Sequence, residues 1–141
     1  MNNHWKYVRY FNPHEFDDPD YPGSGDNIDG KLLLVLDKMR HETGFKIYPH
    51  WKAGGCVDMY GTHGHTPNSY HRIDRGCQAV DFHFECNLTL NEQYNIVCQY
   101  GFGGIGVYYD WAYKGFHVDT RSKKWTQHWV RQNGIYRNLL I

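Results

Sequence analysis

The sequence predicts an α+β fold, a small antiparallel sheet with two main helices packed on it. Three observations predict it. First, short runs alternate apolar and polar side chains, most clearly Gln78-Ala79-Val80-Asp81-Phe82-His83-Phe84 and Phe116-His117-Val118-Asp119. That is the period of a strand with one buried face. Second, between Ile28 and Glu42 the residues Leu32, Leu36 and Met39 recur at helical spacing, flanked by Leu33 and Val35. Third, Thr89-Leu90-Asn91-Glu92 is a capping-box pattern. It opens a second helix to about Tyr100, with Leu90, Tyr94, Val97 and Cys98 on one face and Gly101 as its stop.

The remaining elements follow in order. Tyr7 to Phe11 reads as a short opening strand, and Asp17-Asp18-Pro19-Asp20-Tyr21-Pro22-Gly23 as a turn-rich, solvated acidic loop. Asn27 is the expected N-cap of the first helix and Gly44 its stop. Phe45 to Tyr48 alternates as a strand. Ala53 to Asn68 is a glycine-rich loop carrying His63 and His65, a place where a rigid scaffold presents functional groups. Ile105 to Tyr109 and Phe116 to Thr120 read as strands around a turn at Trp111 to Lys114. The tail from Lys123 to Ile141 holds Trp125, Trp129, Tyr136, Leu139 and Leu140 and is expected to pack on the body without a strand pattern. No internal repeat interrupts the chain, so residues 1–141 form one expected domain.

Composition excludes some partners. Formal net charge is zero, so bulk electrostatics gives no pull toward nucleic acid or an anionic membrane. No segment is long and apolar enough to span a bilayer, and the opening Met-Asn-Asn-His-Trp-Lys lacks the apolar stretch of a signal peptide. The expectation is a monomer made in a cytoplasm, with Cys56, Cys77, Cys86 and Cys98 reduced; in a secreted protein Cys56 and Cys77 could pair. Aromatics make up 17% of the chain, enough to furnish both a core and a ring-lined cleft for sugar or peptide.

The chemistry-bearing residues are His71, Asp81 and His117. Two imidazoles and a carboxylate form a three-ligand set that suits Zn2+ with a fourth position left open. In the strand around Asp81, Ala79, Asp81 and His83 share one face and Val80, Phe82 and Phe84 the other. A neighbouring strand could bring His117 beside Asp81, with the loop of His71 folded over both. The competing reading is coincidence in a chain with ten histidines.

These residues lie in a series of motifs that resembles a known family. Ser69-x-His71, Ala79-x-Asp81, Gly104-Ile105-Gly106-Val107-Tyr108 and His117-Val118-Asp119-Thr120-Arg121 stand in the order found in the zinc D-alanyl-D-alanine peptidases of bacterial walls. Phage-encoded endolysins belong to that group, and its metal-binding fold is shared with lysostaphin-like enzymes and the hedgehog signalling domain. Upstream, Tyr10-Phe11, Glu15-Phe16, Leu33, Leu36 and Arg40 look like the family's opening, so the resemblance runs from about Tyr10 to Trp125. One departure is plain. His71 and Asp81 stand ten positions apart, wider than the family's spacing, so Arg72–Cys77 contains an insertion and Asp74 falls at the usual ligand position. His71 is preferred because the Ser-x-His context travels with it and zinc favours imidazole.

The resemblance implies a zinc-dependent peptidase acting on the peptidoglycan stem peptide next to a D-amino acid. It implies a substrate-binding cation after the first sheet strand, where this chain offers Lys52, with Ser69 beside the first His. It also implies a carboxylate base shortly before the second His. Lys114 stands there, so Asp110 is the expected base, after Tyr108-Tyr109 as in hedgehog, with Asp119 the second candidate or an orienter of an imidazole N–H. His65 precedes His71 by six, as a site histidine does in hedgehog relatives, and is a further catalytic candidate. The alternative is an inert zinc-binding module of the same fold.

Overall fold

A computed structural model describes residues 3–139, so Leu140 and Ile141, which the tail reading included, lie outside the described residues. The chain folds into a mixed α/β structure with one six-stranded sheet and two α-helices. Strands β1 (Lys46–Pro49), β2 (Ala79–Glu85), β3 (Gly104–Tyr108), β4 (Gly115–Asp119), β5 (Gln127–Gln132) and β6 (Ile135–Asn138) lie in the order β1-β2-β4-β3-β5-β6. The sheet is not wholly antiparallel as expected: β5 runs parallel to β3. No described helix is long and apolar enough to cross a membrane.

The period of two gives the sheet two unlike faces. On one side Val80, Phe82 and Phe84 of β2, Ile105 and Val107 of β3 and Phe116 and Val118 of β4 are buried. They form a single core with Leu32, Leu33, Leu36 and Met39 of α1 (Gly30–Thr43) and Val97 of α2 (Leu90–Val97). The other face carries the polar set. Register places Asp81 opposite His117, His117 opposite Gly106, and Gly106 opposite Trp129. Gly106 is required there: a Cβ would stand 2.4 Å from the Trp129 indole nitrogen.

Helix α1 starts two residues later than expected. Its N-cap is Asp29, whose carboxylate accepts from the Leu32 N–H at 3.0 Å, while the Asn27 side chain donates to the Ser24 carbonyl. Gly44 closes it in the left-handed conformation. The Thr89/Glu92 capping box opens α2 as read, and a short 3-10 turn at Cys98–Tyr100 finishes it.

Two readings are corrected. Tyr7–Phe11 is not a strand. The Arg9 and Tyr10 amides donate to Oδ1 of the buried Asp37 on α1, at 3.1 and 3.0 Å, so a helix side chain takes the donors that a strand partner would have taken. The tail, expected to lack pattern, is the β5–β6 hairpin. Asn133 and Gly134 both have positive φ, 53° and 73°, the requirement of a tight hairpin turn.

Candidate metal centre

β2 and β4 are adjacent and antiparallel, which sets Asp81 and His117 side by side, and the loop before β2 brings His71 against both. His71 Nε2 lies 3.2 Å from His117 Nδ1 and 3.2 Å from Asp81 Oδ1, and His117 Nδ1 lies 3.0 Å from Asp81 Oδ1. Three ligands of a tetrahedral zinc, with bonds of about 2.0–2.1 Å, stand roughly 3.3 Å from one another. The triangle matches that edge.

The outer nitrogens decide which atoms face inward. His71 Nδ1 lies 3.0 Å from the Cys56 carbonyl, which can only accept, so Nδ1 carries the hydrogen and Nε2 presents its lone pair. His117 Nε2 lies 2.7 Å from Asp119 Oδ2, which places its hydrogen there and the lone pair on Nδ1. With the Asp81 carboxylate, three lone-pair donors converge on one point, largely shut off from solvent. Two neutral imidazoles and a carboxylate without a cation between them would repel. Burial works against a charge on His117, but its hydrogen bonds to Asp119 and Asp81 outweigh burial and lift it to about 9. Burial likewise raises Asp81, and His71 and His117 together overcome it, holding the carboxyl below its ordinary range. The residues present fit zinc.

Asp119 is fully buried and clamped by Arg121, with Nε to Oδ1 at 2.8 Å and Nη2 to Oδ2 at 2.7 Å. Of its two expected roles, the structure gives it the orienting one. Its carboxylate is on the far nitrogen of His117, turned away from the triangle. Asp110 is likewise not brought to the centre. Its oxygens accept from the Asn133 and Gly134 amides at 2.7 and 2.9 Å, because the tail hairpin folds back onto the end of β3. Asp110→Asn should therefore loosen the turn by about 1 kcal/mol, read as a lower melting temperature, and leave zinc content unchanged.

His65 does reach the site. Its ring stacks on His71 with centroids 4.2 Å apart and planes within 9°. A ring nitrogen or carboxylate oxygen from each of His65, His71 and Asp81 lies within 4.8 Å of the others. Nδ1 is 2.8 Å from Asp58 Oδ2, so Nε2 is the free basic nitrogen. Burial, then the neighbouring His71, lower its pKa and favour the neutral ring. Asp58 belongs to a second group with Asp18 and His63, also within 4.8 Å, whose carboxylate oxygens all accept from backbone amides or imidazoles.

A cavity of about 690 Å³ opens over the triangle. Ser69 lines it, its hydroxyl accepting from the His71 amide at 3.3 Å. Asp81 is the only carboxylate among the described residues lining it, whereas Arg75, Arg121 and Arg131 are all there. Lys52 is not. It lines an adjoining groove, its ammonium 5.6 Å from the Trp51 ring. Trp129 and Arg131 line the cavity from the tail and were missed as site residues; Asn133-Gly134, between alternating runs, was the signal that marks their strand. Between His71 and β2, a 3-10 turn at Ile73–Arg75 carries Asp74 outward, 59% exposed and paired with Arg72 at 3.1 Å. Asp74→Asn should keep full zinc content, and His71→Ala should lose it; the reverse outcome would exchange the two as ligands.

No protein-family model matches this chain, and searches of curated proteins and solved structures give no match either.

Proposed function

We propose that the protein is a zinc-dependent peptidase acting on peptidoglycan, cutting the stem peptide next to a D-amino acid, with a fold related to the D-alanyl-D-alanine peptidases and hedgehog. One observation carries the reading: three lone-pair donors from His71, Asp81 and His117 converge at tetrahedral edge lengths beneath an open cavity. The substrate class rests on the ordered motifs around these residues.

His71, Asp81 and His117 would hold the ion, with Cys56 and Asp119 fixing the two imidazole tautomers. Zinc supplies Lewis acidity there, polarising a carbonyl and bringing the pKa of water toward about 7. With an ion bound, His65 Nε2 is the group that would take a proton from water and give it to the leaving amine, while Asp58 holds Nδ1. Ser69 braces the turn that carries His71.

A second reading, an inert zinc-binding module, draws on the absence of any carboxylate but Asp81 among the described residues lining the cavity. Digestion of purified sacculi by zinc-loaded protein separates the two. New amino termini released by the parent, and lost on His117→Ala, support the peptidase; no release from any wall preparation leaves the inert module.

A further inference from the structure

The groove beside the metal centre has a chemistry of its own. It encloses about 620 Å³ and shares Ala53, Gly55, Asp81 and Trp111 with the cavity over the triangle, so the two adjoin. That volume lies within the roughly 300–1,000 Å³ of small-molecule sites. Its walls are the rings of Tyr48, His50, Trp51, His83, Trp111 and Tyr113. His83 is sandwiched between Tyr48 and Tyr113, with ring planes within 16° and 12°. Trp111 stacks on Tyr108 at 9° and meets His50 edge-on.

We propose that this groove is a sugar-binding subsite, which seats a pyranose ring of the glycan while the attached peptide reaches the metal centre. The proposal rests on the peptidase reading above for the peptide half of that substrate. His83 is covered on both faces, so the surface on offer is the exposed Tyr113 ring and the half-buried Trp111, an apolar surface of the kind that the C–H face of a pyranose covers. The groove's two imidazoles are hydrogen-bonded to each other at 2.7 Å, and lysine ammoniums lie over the Tyr48 and Trp51 rings, 4.6 and 5.6 Å from their centroids. Tyr113 is 68% exposed, and Lys52 stands exposed at the rim, so one side is open to water where ring hydroxyls remain solvated. A closed pocket for a lone apolar side chain would not be edged in this way.

The test is calorimetric titration of the zinc-loaded protein with chitotetraose, a readout that needs no turnover. Saturable binding is expected, weakened about tenfold or more in both Trp111→Ala and Tyr113→Ala and retained in Asp74→Asn. Because Tyr113 is so exposed, its variant keeps the test valid if Trp111→Ala misfolds. Absence of binding, binding that neither variant weakens, or binding of N-acetylphenylalanine amide in place of chitotetraose overturns the proposal. A disaccharide-peptide should also be cut with kcat/KM at least about tenfold above the free peptide. Equal rates overturn the sugar subsite and leave the peptidase. Chitotetraose binding without cleavage of either substrate removes the peptidase and leaves the sugar subsite.

Discussion

Replacing His65 by Gln should lower peptidoglycan cleavage by about 10²–10⁴-fold, roughly 3–5 kcal/mol of barrier, with fold and zinc content unchanged. A base must reach the proton it takes, and His65 is the basic group stacked against a ligand imidazole with a free ring nitrogen. Its partner Asp58 is fully buried and also accepts from the Gly61 and Thr62 amides, so the dyad is held rigidly by its own loop. Asp58→Asn should give a smaller fall by weakening the hold on Nδ1. The experiment pairs these variants with Asp110→Asn, which should keep its activity. A fully active His65→Gln, or an inactive Asp110→Asn with normal zinc, would remove His65 as the proton carrier.

The second large effect is on stability. Asp119→Ala should cost about 3 kcal/mol, the lower end for removing one partner of a buried ion pair, because Arg121 keeps some contact with solvent. The Arg121 guanidinium would be left among Tyr70 and Trp129 without its carboxylate, and His117 Nε2 without its acceptor. Asp119→Asn keeps the shape and separates the two roles. Zinc affinity should fall about 10–100-fold, as for other groups that orient a ligand imidazole, with a smaller loss of melting temperature. Denaturant melts with and without zinc read both effects; an Asp119→Ala protein as stable as the parent would contradict the pairing.

The pairing of Asp81 with His117 was legible in the sequence because period-two alternation around each puts them on strand faces that antiparallel neighbours can bring together. The expectation that His71 rather than Asp74 joins Asp81 and His117 came from the Ser-x-His context and zinc's preference for imidazole; the loop's 3-10 turn and outward Asp74 were not legible. His65 was already a catalytic candidate from its place six residues before His71, whereas the position of Asp110 was hidden. Asp110 is near His117 in sequence, but two backbone amides of a distant hairpin capture its carboxylate. That hairpin was marked by Asn133-Gly134, yet its parallel pairing to β3 is a tertiary outcome that depends on the room Gly106 leaves for Trp129. The false opening strand has the same cause as Asp110. A buried side chain, Asp37, satisfies backbone donors that local pattern assigns to a sheet.

The central claim is that His71, Asp81 and His117 hold one zinc ion. Metal analysis of protein prepared without a histidine tag and equilibrated with zinc tests it most directly. The account predicts one zinc per chain in the parent, close to none in His117→Ala, where loss of a ligand should exceed the about 100-fold effect of losing an orienting group, and one in Asp74→Asn. A folded parent that takes up no zinc, or a His117→Ala variant that retains a full equivalent, would contradict it.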